Sequence, residues 1–391
     1  MLSGLKRILD SILRRADSIR YEDAGNRSIV HLDYCSYLRD PHLVRLFTEY
    51  RATGNFTGHL SELSGEEVRI VSQIKAGLQV LSQMQDRYAV GTMWAKFNEQ
   101  MLRNALEADA RLYNHVGALC YKTFKPLDMG LEAVIREVLK ILVIYDQLIP
   151  HVQRFEGLFV SLNSPFFTLD GHKLNSGIRA VEEWSIVQEK VGSSKMQRVL
   201  EIGAGSGQLT NLFLRDGAKV VVIDLPGMHS RGPYFLYKSG HRVCTYDRYL
   251  QAGRDVEGLF RQYDVIYLPP WEAESLVVRF DLAVNVHSLG EMAIEEAVRY
   301  LQLIDRICDC FISLNTNTRG LDPVRQPEYV ENSSLQYSKH LSMKPVATGT
   351  TISDSVFGKI LHNGYVVYRK GNRPEHFPAY APELNPAVKA Q

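Results

Sequence analysis

Residues 198–207 read Arg198-Val-Leu-Glu-Ile-Gly-Ala-Gly-Ser-Gly207, and seventeen positions further on Val220-Val-Val-Ile-Asp224 closes a second apolar run. Short apolar runs bounded by turn residues read as strands buried on both faces. The glycines after the first run open a helix. A strand, a glycine turn, a helix and a second strand ending in a carboxylate form a unit that holds a nucleoside-bearing cofactor. Glycine lets the backbone approach a ligand closely and adopt positive φ. Asp224, at the end of the second strand, is placed to accept hydrogen bonds from both ribose hydroxyls. A glycine triplet alone could be an ordinary strand-to-helix turn. Glu201 before it and Asp224 after it favour a cofactor site.

The glycine spacing narrows the cofactor. A dinucleotide turn uses G-x-G-x-x-G, so that a pyrophosphate can lie against the helix N-terminus. Here Gly203, Gly205 and Gly207 give G-x-G-x-G, and Gln208 occupies the place of the third dinucleotide glycine. With Glu201 in front, this resembles the first motif of S-adenosylmethionine (SAM)-dependent methyltransferases with a Rossmann-like fold. SAM carries no phosphate, so the turn needs no anion cradle. The residues expected around it are Glu201, Gly203, Ala204, Gly205, Gly207, Asp224 and Leu225, with Trp271 and Asn285 at later strand ends.

Outward from this unit, strands and helices alternate, the pattern of a parallel sheet covered on both faces. The reading runs strand 198–202, helix 207–216, strand 219–224, helix 228–239, helix 254–262, strand 264–269, strand 280–286, helix 291–307 and strand 309–314. Two last segments, 346–352 and 364–369, form a closing hairpin of the kind such methyltransferases place at the sheet edge. The apolar piece 242–246 is surplus, and either it or 264–269 is the third strand. The alternation makes the fold class α/β, and the resemblance to SAM-dependent methyltransferases implies a Rossmann-like, seven-stranded sheet with helices on both faces.

Residues 1–165 read as a mainly α-helical N-terminal domain, and residues 166–391 as the methyltransferase domain. Segments 65–90, 92–117, 129–150 and, beyond the boundary, 175–191 read as helices. Ser64-Gly-Glu-Glu67 has capping-box spacing. Asn163-Ser-Pro165 and Asp170-Gly171 mark the boundary. The helical half is expected to serve as a lid, as a homodimer interface, or as both. Leu2, Leu5, Ile8, Leu9, Ile12 and Leu13 recur at helical spacing beside Lys6, Arg7, Arg14 and Arg15. Such a stretch can lie on a membrane surface. Asp10 and Asp17 dilute its positive face and favour packing on protein.

The bulk numbers exclude several classes. With 391 residues the chain can hold two domains, and 45% hydrophobic against 23% charged residues mark a globular chain. Lys+Arg of 45 against Asp+Glu of 44 gives a net charge of +1, with no overall pull toward nucleic acid. Five scattered cysteines, Cys35, Cys120, Cys244, Cys308 and Cys310, are read as reduced thiols of a cytoplasmic protein. No apolar run is long enough to span a bilayer, and no secretory signal is read.

Ligands of open α/β sheets sit beyond the carboxyl ends of the strands. That rule selects Leu268-Pro-Pro-Trp271, Asn285-Val-His287-Ser288 and Asn315-Thr-Asn317 beside Asp224. Trp271 is placed to stack on adenine or to seal the sheet end, with Asp247 as a rival adenine contact. His287 is the candidate general base, since a sugar hydroxyl attacks well only if its proton is taken as the bond forms. A histidine with an ordinary pKa near 6.5 suits that task at neutral pH. Glu291 either orients His287 or binds the acceptor. Its rival role is a second capping box, Ser288-Leu-Gly-Glu291, starting the next helix at 291. Glu291 and Glu295 lie one turn apart, but acids in a first turn are expected from the helix dipole alone, and no metal site is assigned. Asn315 and Asn317 are candidate contacts to polyol oxygens.

Together, Val199-Leu-Glu-Ile-Gly-Ala-Gly-Ser-Gly207, Asp224-Leu-Pro226, Asn285-Val-His-Ser-Leu-Gly-Glu-Met292 and Ser313-Leu-Asn315 resemble the sugar O-methyltransferases of the nanchangmycin type. The resemblance covers roughly 175–370, and Ser288, Glu291 and Met292 are its more specific part. It implies methyl transfer from SAM to a hydroxyl of a glycoside, a surface polysaccharide or a natural-product sugar. Glu201, Gly203, Gly205, Gly207 and Asp224 would then hold SAM, while Asn285, His287 and Glu291 would face the transferred methyl and the acceptor. Asp-Leu-Pro also occurs in plant-type O-methyltransferases, so a phenolic or polyketide acceptor is the rival. A non-catalytic SAM-binding scaffold and a nicotinamide oxidoreductase are the other readings, and Gln208 argues against the last.

Overall fold

The computed structural model describes residues 63–84, 92–107, 113, 173–192, 196–316, 334–351 and 363–371. The basic stretch 1–20, the expected helix 129–150, the boundary at 165 and Asn317 lie outside the described residues.

Among the described residues three helices precede the sheet: α1 (Gly65–Ser82), α2 (Thr92–Glu107) and α3 (Lys173–Val191). Helix α1 starts where the sequence places it. Ser64 Oγ accepts from the Glu67 backbone N–H at 3.2 Å, and the Ser64 N–H donates to the Glu67 carboxylate at 2.7 Å. The helix buries Val71, Ile74, Leu78 and Leu81, a stripe at spacings of three and four.

The rest follows as β1 (Arg198–Ile202), α4 (Gln208–Arg215), β2 (Lys219–Ile223), a 3-10 turn (Pro226–Ser230), α5 (Arg231–Lys238), β3 (Val243–Cys244), α6 (Tyr246–Gln251) and α7 (Val256–Phe260). Then come β4 (Val265–Leu268), a 3-10 turn (Pro270–Ser275), β5 (Leu282–Val286), a 3-10 turn (Leu289–Glu291) and α8 (Ile294–Ile307). The chain continues through β6 (Cys310–Thr316), a 3-10 turn (Ser334–Lys339), β7 (Lys344–Thr350) and β8 (Asn363–Arg369).

The sheet order is β3-β4-β2-β1-β5-β6-β8-β7. The strands from β3 to β6 pair in parallel, and β8 and β7 close the edge antiparallel. The seven expected strands are present with their closing hairpin. Segment 264–269 stands next to β2, and the surplus piece is an added edge strand of two residues. Asp264 fixes that edge. It accepts from the Arg242 backbone N–H at 3.0 Å, from the Arg242 guanidinium at 2.7 Å and from Lys219 Nζ at 2.9 Å. Burial works to raise its pKa, but these hydrogen bonds prevail and hold it well below the ordinary carboxylate value.

Central strands β1 and β2 are buried except at their first residues, as strands covered on both faces require. Ile202 pairs with Ile223 and with Asn285, and Val286 pairs with Leu314. This register lines up the carboxyl ends of β1, β2, β5 and β6 along one edge. Helix α8 lays Ala297, Tyr300, Leu301 and Ile304 on the core. It begins at Ile294, three residues later than the sequence reading. Helix α6 falls where no helix is expected from sequence.

Helices α1 and α2 and all eight strands belong to one compact unit. The described part of the expected helical domain thus packs with the sheet. Both helices meet the turn after β2, where Asn98 Oδ1 accepts from the Gly227 N–H at 2.7 Å. A Cβ at Gly227 would overlap the Asn98 carbonyl, so glycine is needed for α2 to seat.

Candidate cofactor and acceptor site

A cavity of about 300 Å³ opens beyond the aligned strand ends. Gly203, Gly205, Asp224, Leu225 and Met228 form one side, and His287, Ser288, Glu291, Met292, Glu296 and Tyr300 another, with Pro270 also in the lining.

The glycine turn is held from two directions. Gly203 has φ of 74° and Gly205 has φ of 58°, backbone that side chains disfavour. The Gly203 N–H donates to the Ile223 carbonyl at 2.8 Å. A Cβ on Gly203 would overlap Ser288 Oγ, so glycine is required for the β5 end to approach the turn. On the other side the Gly205 N–H donates to Asp224 Oδ2 at 2.7 Å, and the Leu225 N–H donates to Asp224 Oδ1 at 2.7 Å. Burial raises the Asp224 pKa to about 7 against the pull of those two donors. Beneath the turn, buried His229 donates from Nε2 to the Asp224 carbonyl at 3.1 Å, and burial lowers its pKa to about 4.

Glu201 does not line the cavity. It is buried behind the turn, where Thr210 Oγ1 of α4 donates to it at 2.5 Å. Burial, with the charge of Asp224 adding to it, raises its pKa to about 7. Glu201 ties β1 to α4 and supports the turn without forming a cavity wall. Ala204 and Gly207 belong to the turn but are not among the lining residues. Gly207, with φ of 77°, is the residue from which α4 starts. Leu225 lines the cavity as the sequence reading places it.

Asn285 and Asn315 are fully buried and bonded to each other. Asn315 Nδ2 donates to Asn285 Oδ1 at 2.7 Å and to Ser313 Oγ at 2.7 Å. Asn285 Nδ2 donates to the Ile202 carbonyl at 2.8 Å and to Ser288 Oγ, and Asn285 Oδ1 also accepts from the Leu289 N–H at 3.1 Å. Asn315 Oδ1 accepts from the Gly290 N–H at 3.3 Å. The two amides therefore clasp the ends of β1, β5 and β6. Neither reaches the cavity, as the cofactor role read for Asn285 and the acceptor role read for Asn315 would require.

Trp271 is also set apart from the cavity. Its Nε1–H donates to the Tyr246 hydroxyl at 3.1 Å, and the two rings meet edge-on with centroids 6.2 Å apart. The indole packs on the core, and its neighbour Pro270 is the residue that lines the cavity. The sheet-end sealing role fits this placement, and adenine stacking does not.

His287 and Glu291 both reach the cavity. His287 directly follows β5 with φ of 55°, left-handed backbone that costs a non-glycine residue about 1–2 kcal/mol. Its N–H donates to the Leu314 carbonyl at 2.9 Å, so the parallel pairing fixes the strained turn. The second capping box does not form. The Ser288 hydroxyl donates to the Ile202 carbonyl at 3.1 Å and meets Asn285, leaving the helix to start at Ile294. Glu296 therefore faces the cavity in place of Glu295, and Arg299 pairs with it at 3.1 Å. Among the described residues no group of three or more His, Cys, Asp or Glu is arranged to hold a metal ion.

Met228, Pro270, Glu296 and Tyr300 are wall residues not read from sequence, and Glu183 approaches His287 Nε2 at 3.9 Å from α3. Glu183 had a readable signal. Ala180, Trp184 and Val187 form the buried stripe of α3, and Glu183 sits on it. An acid on an apolar stripe calls for a partner.

No family model and no curated protein matches the chain. Solved structures match it in part. A protein of Pyrococcus horikoshii OT3 aligns at 16% identity and a TM-score of 0.33, over 55% of this chain and 99% of its own. The N-methyltransferase NodS from Bradyrhizobium japonicum WM9 aligns at 13% identity and a TM-score of 0.35, over 52% of this chain and 100% of its own. The fold assignment rests on the strand order and the glycine turn. The fold is Rossmann-like, a parallel sheet closed by an antiparallel hairpin at one edge. No described helix is long and apolar enough to cross a membrane.

Proposed function

We propose that the chain is a SAM-dependent O-methyltransferase acting on a sugar hydroxyl. The observation that carries the cofactor reading is the Asp224 carboxylate, fixed by two backbone donors at the end of β2 and facing the cavity beside Gly203 and Gly205. The lining fits the ligand's charge: it holds Asp224, Glu291 and Glu296 and, among the described residues, no lysine or arginine. That set suits a cation such as a sulfonium and is unsuited to a pyrophosphate. Bound there, the cofactor would supply an electrophilic methyl to the acceptor oxygen, with the electron pair of the carbon–sulfur bond left on sulfur. Asp224 would accept from the ribose hydroxyls, and the open glycine turn would receive the amino-acid part. His287 takes the acceptor proton, a role worth roughly 10²–10⁴-fold. Glu291 binds the acceptor beside it.

The sugar acceptor rests on the resemblance of the Asn285–Met292 run to the nanchangmycin-type enzymes. A phenolic or polyketide acceptor is the second reading, favoured by Met228, Pro270, Met292 and Tyr300 in the lining. Calorimetry with S-adenosylhomocysteine and NAD tests the cofactor. The expected result is binding of the first, none of the second, and at least tenfold weaker binding by Asp224→Ala (about 1.4 kcal/mol). Mass-shift screening against sugar and phenolic acceptors then separates the two acceptor classes. Failure of a folded sample to bind S-adenosylhomocysteine would overturn the proposal.

A further inference from the structure

We propose that Glu183 is a positioning residue for the base: it orients the His287 imidazole and stabilises its protonated form. This rests on the general-base reading of His287. Glu183 is about nine-tenths buried, and its carboxylate lies 3.9 Å from His287 Nε2, within ion-pair range of a ring that reaches the cavity. The helix that carries it is anchored. Trp184 Nε1 donates to Asp216 Oδ2 at 2.8 Å and Gln188 Nε2 donates to the same oxygen at 3.0 Å, so α3 is tied to the end of α4. His287 is fixed from the other side by its left-handed backbone and its bond to Leu314.

An acid in this place suits a base that acquires charge during the reaction. As the acceptor oxygen bonds to carbon, its hydroxyl proton passes to a ring nitrogen of His287, and from there to solvent after transfer. The ring is neutral before this step and cationic after it. The attraction to Glu183 is therefore stronger late in the step than early, which is the condition for lowering a barrier. Among the described residues, the other ionisable groups lining the cavity with His287 are Asp224 at the end of β2, Glu291 on the 3-10 turn, and Glu296 and Tyr300 on α8. Glu183, on α3, is not part of that lining and meets His287 at Nε2.

The test is an NMR titration of His287 in the cofactor-free protein, wild type against Glu183→Gln. The glutamine keeps the shape and removes the charge. We expect the proton affinity of His287 to fall by about three- to tenfold. S-adenosylhomocysteine affinity should stay within about twofold, since Glu183 does not line the cavity. With an acceptor in hand, kcat should fall about tenfold or more with little change in KM. The acid limb of the pH profile should move to lower pH, and Glu183→Asp should restore part of both. An unchanged His287 titration in a folded Glu183→Gln protein overturns the proposal and leaves the methyltransferase reading standing. Full activity in His287→Ala overturns the general-base reading itself. If Glu183→Gln does not fold, the reciprocal measurement decides: the Glu183 carboxyl should titrate higher in His287→Gln than in wild type, and equal values would sink the pairing.

Discussion

The chain carries two Ser-x-x-Glu boxes, and they have opposite fates. Ser64 and Glu67 exchange hydrogen bonds and start α1, as their spacing demands. Ser288 and Glu291 have the same spacing and do not cap a helix. The first serine lies ahead of an amphipathic helix and meets only local partners. The second lies at the end of a buried strand, where the Ile202 carbonyl and the Asn285 amide meet its hydroxyl. A hydroxyl bonded to partners on two neighbouring strands gives up more by turning away than a single capping bond returns. Tertiary demand therefore outweighs the local motif, and Glu291 is released toward the cavity. A box that fails to cap beside a cavity is a pointer to a site.

The contrast is broken hardest at Gly203. Alanine there would keep φ at 74° and place its Cβ on Ser288. We expect Gly203→Ala to weaken S-adenosylhomocysteine binding by about a hundredfold and to destabilise the fold by about 2–4 kcal/mol, read by calorimetry and thermal melting. Adding Ser288→Gly should recover part of the loss by clearing the overlap. If Gly203→Ala binds normally, Ser288 is not locked against the turn. Next in size is Asn285→Ala. It leaves the Leu289 N–H and the Asn315 amide short of a partner, and should cost about 2–4 kcal/mol in denaturant unfolding. A cost under about 0.5 kcal/mol would mean that the clasp is dispensable.

The sequence made some of this legible and hid the rest for definable reasons. Strands β2 and β4 read directly as apolar runs, as strands buried on both faces require, and β1 reads the same way despite Glu201 within it. The glycine turn and Asp224 were readable because positive φ and a strand-end acid leave a residue-type signature. The amides at 285 and 315 misled: strand-end polar residues look alike whether they face a ligand or one another, and only the β5–β6 register turns these two inward. Trp271 misled likewise, since one step along a 3-10 turn exchanges Pro270 for the indole at the cavity. Helix α6 was missed because six residues with only Tyr246 and Tyr249 buried give too short a period to read.

The two boxes also differ in where their neighbourhoods titrate. Burial works to raise the Glu67 pKa, but hydrogen bonds from Lys238 and Ser64 prevail and hold it below the ordinary carboxylate value. At the other site burial puts Asp224 at about 7. On the proposed reading ribose hydroxyls would donate to the ionised carboxylate, so cofactor binding should favour the deprotonated form. Affinity for S-adenosylhomocysteine should then be full near pH 8 and about tenfold weaker near pH 6. For the free protein the sign is reversed. A folded pKa above the unfolded one contributes stability that is present below the ordinary carboxylate value and is lost as pH rises through about 7. Calorimetry in two buffers of different ionisation enthalpy should find a proton released on binding. A flat profile from pH 8 to 6 would show that Asp224 is already ionised in the free protein.

The smallest effect is the most direct test of the comparison, because it sets serine against serine. Ser64→Ala removes one capping acceptor and should cost about 1 kcal/mol of stability. Cofactor affinity should not change, since nothing at the N-terminus of α1 lines the cavity. Ser288→Ala should cost a similar amount, because the Ile202 carbonyl keeps its bond from Asn285. Its signature lies elsewhere: loosening the β5 end against Gly203 should weaken S-adenosylhomocysteine about threefold. Equal stability losses with unequal binding losses are the expected pattern. If both serines leave binding untouched, the second box is structural after all. In that case Glu291 owes its place at the cavity to the strain at His287, not to the contacts made by Ser288.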